Sequence, residues 1–162
     1  MLHTSAIVLH ATCAVAAFVV GVILIFQPAG RRQLQLARAL VALLALMGLF
    51  LVVAILSHLT SLPTIQRIIF GALFLLLLYM IYRAVQAVNV LTGPSGGQGD
   101  DQLKVVDHAG FVLISLFDGF AIVSALDVGA PGWLVAIIAV GAVVVGILAL
   151  NARKTALKMQ TA

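Results

Sequence analysis

The stretch VDHAGFVLISLFDGFAIVSAL, Val106–Leu126, decides the fold. It is long enough to cross a membrane, since a spanning helix needs about 20 mostly apolar residues. Against that stands Asp118, near its centre. A central Asp costs about 2.5–3.5 kcal/mol on insertion scales. The surrounding Phe, Ile, Leu and Val residues offset this cost, and the stretch reads as a span.

Four other stretches qualify with less argument. They run from about Ser5 to Phe26, Leu36 to Ser57, Ile68 to Val88 and Trp133 to Leu150. Five spans of about 20 residues leave only short loops and tails. Pro28 and Gly30 break the chain after the first span, and Pro63 follows the second. Residues 92–103 form a flexible Gly-rich loop, and Pro131-Gly132 make a turn before the last span. No stretch alternates apolar and polar residues as a membrane barrel strand does. The expected fold is an all-α, polytopic membrane helix bundle, with residues 1–162 as a single transmembrane helical domain.

Composition agrees. The chain has 162 residues, 64% hydrophobic and 9% charged, with nine Lys+Arg and five acidic residues. All five acids are Asp. Soluble domains run about 25% charged, so this chain cannot cover a globular surface with polar groups. One Cys excludes a disulfide scaffold. The basic residues are scattered among loops, which is no nucleic-acid footprint.

Orientation follows from those charges. With five spans, Arg31, Arg32, Arg38, Arg83, Lys104, Arg153, Lys154 and Lys158 fall on one side, and the other side receives only Arg67. The positive-inside rule then puts the N-terminus outside and the C-terminus in the cytoplasm. Omitting the Asp118 span would place the basic tail outside. Tyr79 and Tyr82 fit an inner aromatic belt, with Arg83 free to snorkel beside it, and Trp133 fits an outer belt. The first span lacks a basic leader, so it is not a signal peptide. His10-Ala11-Thr12 before Cys13 is a poor lipoprotein context. Composition suggests a bacterial-type cytoplasmic membrane.

Helices in lipid associate through close packing of small residues. Cys13, Ala17 and Gly21 form such a stripe in the first span. Ala142 and Gly146, with Gly132 and Ala136, form others in the fifth. Gly71, Gly110 and Gly119 lie in the third and fourth.

Two constellations could carry chemistry. Asp118 is a mid-membrane ionisable group, which by default marks a function. Asp107 lies eleven residues before it, about 16 Å along a helix and close to three full turns. Ser115 is one turn before Asp118, and His108 is seven residues before Ser115. Asp107, His108, Ser115 and Asp118 thus form a polar strip suited to a proton or ion relay. The plainer reading is a single structural hydrogen bond from Asp118 to Ser115, Thr12 or a nearby backbone group. The second constellation is outer: His10 and His58 reach similar depths on facing spans. Cys13 shares the face of His10, and His3 joins it if the helix extends that far. Imidazole and thiol groups on facing helices can hold haem, copper or zinc. No His pair at four-residue spacing and no Cys-x-x-Cys reinforces this, and interfacial His is common without a ligand. Ser57, Thr60, Ser61 and Thr64 make a polar outer loop. Asp100 and Asp101 read as a hydrated charge pair in the inner loop.

No Walker, Gly-x-Ser-x-Gly or His-Glu-x-x-His pattern is present. A Ser115–His108–Asp118 hydrolase is disfavoured, because His108 lies about 10 Å along the axis from Ser115. The leading expectation is a small non-catalytic membrane protein that partners the bilayer and other membrane proteins or its own copies. The alternatives are a haem- or metal-binding redox protein using His10 and His58, and a proton- or ion-coupled transporter or channel subunit centred on Asp118.

Overall fold

The computed structural model describes residues 2–56, 64–93 and 100–161, and the side chains of most of these. The chain forms five helices: α1 Leu2–Phe26, α2 Arg31–Leu56, α3 Thr64–Thr92, α4 Asp100–Asp127 and α5 Gly132–Thr161. Each is long and apolar enough to cross a membrane. Val106–Leu126, with Asp118 at its centre, is helical throughout and belongs to α4.

The helices outrun the expected spans. α2 starts at Arg31 and α5 continues to Thr161, because the Arg, Gln, Lys and Ala residues there are good helix formers. α4 starts at Asp100, so the last four residues of the expected loop 92–103 are helical. Asp100 and Asp101 occupy the first turn of α4, where carboxylates complement the partial positive charge of the helix N-terminus. Asp101 is buried and pairs with Lys104 at 3.1 Å. The hydrated loop pair is therefore corrected for Asp101.

The breaks have local causes. After α1, Gly30 takes a φ of 149°, and its carbonyl accepts from Leu34 at the start of α2. α4 ends with Gly129 at a φ of 74°, which lets the Ala130 N–H reach back to the Ala125 carbonyl at 3.0 Å. Pro131 then supplies the carbonyl that accepts from Leu134 and Val135.

α1 to α4 close a ring. α1 packs on α2, α2 on α3, α3 on α4, and α4 back on α1. α5 packs through its length only on α4. The core sits inside the ring. Along α2 the buried positions Gln33, Ala37, Leu40, Leu44 and Met47 step by four and three residues, which traces one helix face. Opposite them lie Leu24 and Ala17 of α1, Met80 and Ala84 of α3, and Val105, Ala109 and Val112 of α4.

Small residues set the approach distances between helices. A Cβ at Gly146 of α5 would sit 2.5 Å from Ile114 of α4, and one at Gly110 of α4 would sit 2.4 Å from Leu150 of α5. Glycine at these positions leaves room for the facing Ile114 and Leu150 side chains, which a Cβ would force to shift. Gly21 of α1 receives Leu113 of α4 in the same way. Cys13 and Ala17 are core residues, so that stripe serves packing within the chain. Gly71, Gly119, Gly132 and Gly141 face open space.

Candidate functional site

At the basic end of the bundle, Asp107 joins three helices. Its Oδ2 accepts from Arg83 of α3 at 3.0 Å, and its Oδ1 accepts from Lys154 of α5. Arg83 also donates to the Asp107 carbonyl at 3.2 Å and to the Tyr79 hydroxyl at 3.4 Å. Its guanidinium lies 5.1 Å over the Phe111 ring, which meets Tyr79 edge-on. Arg83, expected to snorkel to headgroups, is instead turned inward, because an acid at the same depth is available one helix away. In the sequence, Arg83 and Lys154 read only as orientation signals. The recoverable hint is that Asp107 sits at the same membrane edge with opposite charge.

Eleven residues on, Asp118 is in a different situation. It faces a groove lined by Ala139, Val140, Val143 and Val144 of α5. Its Oδ1 is buried, and no group among the described residues hydrogen-bonds to it. The expected Thr12 donor is engaged elsewhere, giving its hydroxyl to the Val8 carbonyl of its own helix at 2.8 Å. Asp118 lies about 16 Å from Asp107 and about 14 Å from Asp127 along α4, so it sits far from both charged ends of the helix.

The four residues of the expected relay strip, Asp107, His108, Ser115 and Asp118, all lie on α4. Asp107, Phe111, Ile114 and Asp118 share one stripe of α4 at spacings of four, three and four. The two middle members are apolar: Phe111 lies under Arg83, and Ile114 packs on Gly146. His108 has a buried Nδ1 without a hydrogen-bond partner among the described residues.

At the other end of α1, the His10 Nδ1 lies 3.0 Å from the Met47 carbonyl of α2. With the proton on Nδ1, the ring donates this bond and ties α1 to α2. A ring nitrogen anchored on a backbone carbonyl is common to ligating and non-ligating histidines alike. Cys13 is a buried free thiol in the core. α1 begins at Leu2, so the helix does extend through His3, whose side chain lies outside the described residues. His58 and the polar residues Ser57, Thr60 and Ser61 also lie outside them. Among the described residues no three of His, Cys and Asp come together as a metal-ligand set.

Two glutamines escape a reading by motif. Gln33 is fully buried, with neither amide atom hydrogen-bonded among the described residues. Its place in the four-and-three pattern of α2 marks it as inward-facing. Gln102 donates to the Gln27 carbonyl at 3.1 Å, closing the end of α1 onto α4.

Comparison with protein-family models, curated proteins and solved structures finds no match for this chain.

Proposed function

We propose that this chain is a non-catalytic component of a membrane assembly and that it docks through Asp118. The observation that carries this reading is the unpartnered, partly buried carboxyl in a groove of α4 and α5. Ionisable groups at this depth are costly and almost always find a partner or a water-filled cavity. Elsewhere on α4, Asp101 and Asp107 both have cations. The groove beside Asp118 is lined by small aliphatic residues, and its buried Oδ1 has no hydrogen-bond partner among the described residues. A membrane-spanning helix of another protein, with Lys, Arg or His at mid-depth, would complete the site. The groove wall supports this use, since Val140 and Val144 are exposed and Ala139 beside them is small.

A second copy fits less well. Among the described residues of this chain, the Lys and Arg side chains of the spans gather at the basic end, and His10 is bonded to Met47. Two copies would set Asp118 against Asp118. In this reading the protein is multi-pass in a bacterial-type cytoplasmic membrane, with the basic end cytoplasmic. Asp118→Asn keeps a hydrogen-bonding group and removes the charge, and Asp118→Leu removes both. Co-purification of a partner from native membranes should fall at least about tenfold for Asp118→Leu, equivalent to losing about 1.4 kcal/mol. Undiminished recovery would reject the docking role.

The second reading, haem or metal on His10 and His58, draws on the Nδ1 bond of His10 to the Met47 carbonyl, which orients the ring. A colourless, metal-free purified protein would end it.

A further inference from the structure

A second groove lies on the other side of the α4–α5 pair. α1 and α5 flank it without packing along their length, and α4 forms its floor. Its volume is about 210 Å³. Phe18 and Val22 of α1, Leu113 and Phe117 of α4, and Val145 and Ala149 of α5 line it. The α5 wall runs from Ala142 to Arg153, eleven residues or about 16 Å. That is half of the roughly 30 Å hydrocarbon layer, the depth one leaflet's acyl chains fill.

Arg153 stands at the mouth. Its Nε donates to the Ile25 carbonyl at 3.4 Å, and its guanidinium lies 5.2 Å over the Phe26 ring. These contacts hold the side chain in place and leave its terminal nitrogens for another acceptor. Its neighbours are spoken for: Lys154 and Arg83 by Asp107, and Lys104 by Asp101. Arg153 meets no carboxylate among the described residues. The exposed Arg31 and Arg32 open α2 a few residues after Phe26 in the chain. A guanidinium fork suits phosphate oxygens, and basic pockets between spans are where anionic headgroups bind.

We infer that this groove is a binding site for an anionic phospholipid, with its phosphate on Arg153 and one acyl chain along α4 between α1 and α5. The site does not depend on the docking role of Asp118, which faces the opposite groove.

The test uses the full chain in nanodiscs of phosphatidylcholine with a minority of phosphatidylglycerol carrying the same acyl chains. Lipid retained after extraction is counted by native mass spectrometry. Wild type should retain phosphatidylglycerol over phosphatidylcholine by about fivefold or more. Arg153→Gln should bring the preference close to parity. Lys104→Gln removes the same charge away from the groove and should keep the preference. Val145→Trp, which fills the groove from an exposed position, should remove the retained lipid of either kind. Inorganic phosphate alone should not raise the melting temperature, whereas phosphatidylglycerol should raise it in wild type and not in Arg153→Gln. Equal retention of both lipids by wild type, equal loss in Arg153→Gln and Lys104→Gln, or stabilisation by inorganic phosphate alone would overturn the inference. If Val145→Trp does not fold, the paired charge variants still decide it.

Discussion

Lys154 of α5 and Arg83 of α3 share the Asp107 carboxylate, one on each oxygen. These two helices do not pack on each other, so one α4 side chain links them electrostatically. The Asp107 side chain is 53% exposed, which screens the pairs, and single exposed pairs are worth about 0–1 kcal/mol. Asp107→Ala should therefore cost about 1–2 kcal/mol, because it strands two cations at once. In detergent-driven unfolding, combining Asp107→Ala with Lys154→Ala should cost less than the sum of the two. Strict additivity would mean that the pair does not act.

Gly146 and Gly110 set how closely α5 approaches α4. Gly146→Val should destabilise by about 1–3 kcal/mol through overpacking on Ile114, and Ile114→Ala should recover part of it. Gly141→Ala, which faces open space, should be neutral or slightly stabilising, since Ala is the better helix former. Equal losses at Gly146 and Gly141 in the same unfolding assay would contradict the packing described.

Gln33 is a buried amide without partners among the described residues. Leaving such a group unsatisfied costs about 1–3 kcal/mol, and Met has nearly the same shape. Gln33→Met should raise the melting temperature. A fall would indicate that the amide has a bonded partner in the membrane.

His10→Ala removes the link to the Met47 carbonyl and should cost about 0.5–1.5 kcal/mol. His10→Asn, which can still donate a hydrogen bond, should lose less. Thermal unfolding of both variants reads this directly.

Much of the fold was legible in the sequence because membrane crossing is a strong constraint. Five apolar runs bounded by Pro and Gly left little freedom, and the structure forms a helix on each. Helix ends were less legible. Apolar runs mark where lipid ends, whereas Arg31–Gln35 and Asn151–Thr161 continue the helix into a polar setting. Asp118 stood out on its own, because a mid-span acid is rare. Its α5 groove could not be read, because helix pairing depends on which glycine admits which side chain. The Arg83–Asp107–Lys154 cluster was hidden for another reason: orientation rules count basic residues and give no geometry. The His10–Met47 bond uses a backbone carbonyl, which no residue pattern reports.

Topology is checked with single cysteines on a Cys13→Ser background. Thr155→Cys should be labelled only from the cytoplasmic side and Val128→Cys only from the outside. The reverse pattern would invert the orientation and with it the leaflet assigned to the Arg153 groove.

The central claim, docking through Asp118, is tested most directly by photo-crosslinking from Val140 and Val144 in native membranes, with the exposed Val15 of α1, outside this groove, as control. The expected result is one crosslinked protein at positions 140 and 144 only. The attachment should map to a membrane span with Lys, Arg or His in its middle third, and the crosslink should be lost with Asp118→Leu. Crosslinks to lipid alone, to a second copy of this chain, or to a partner whose capture is unchanged by Asp118→Leu would contradict it.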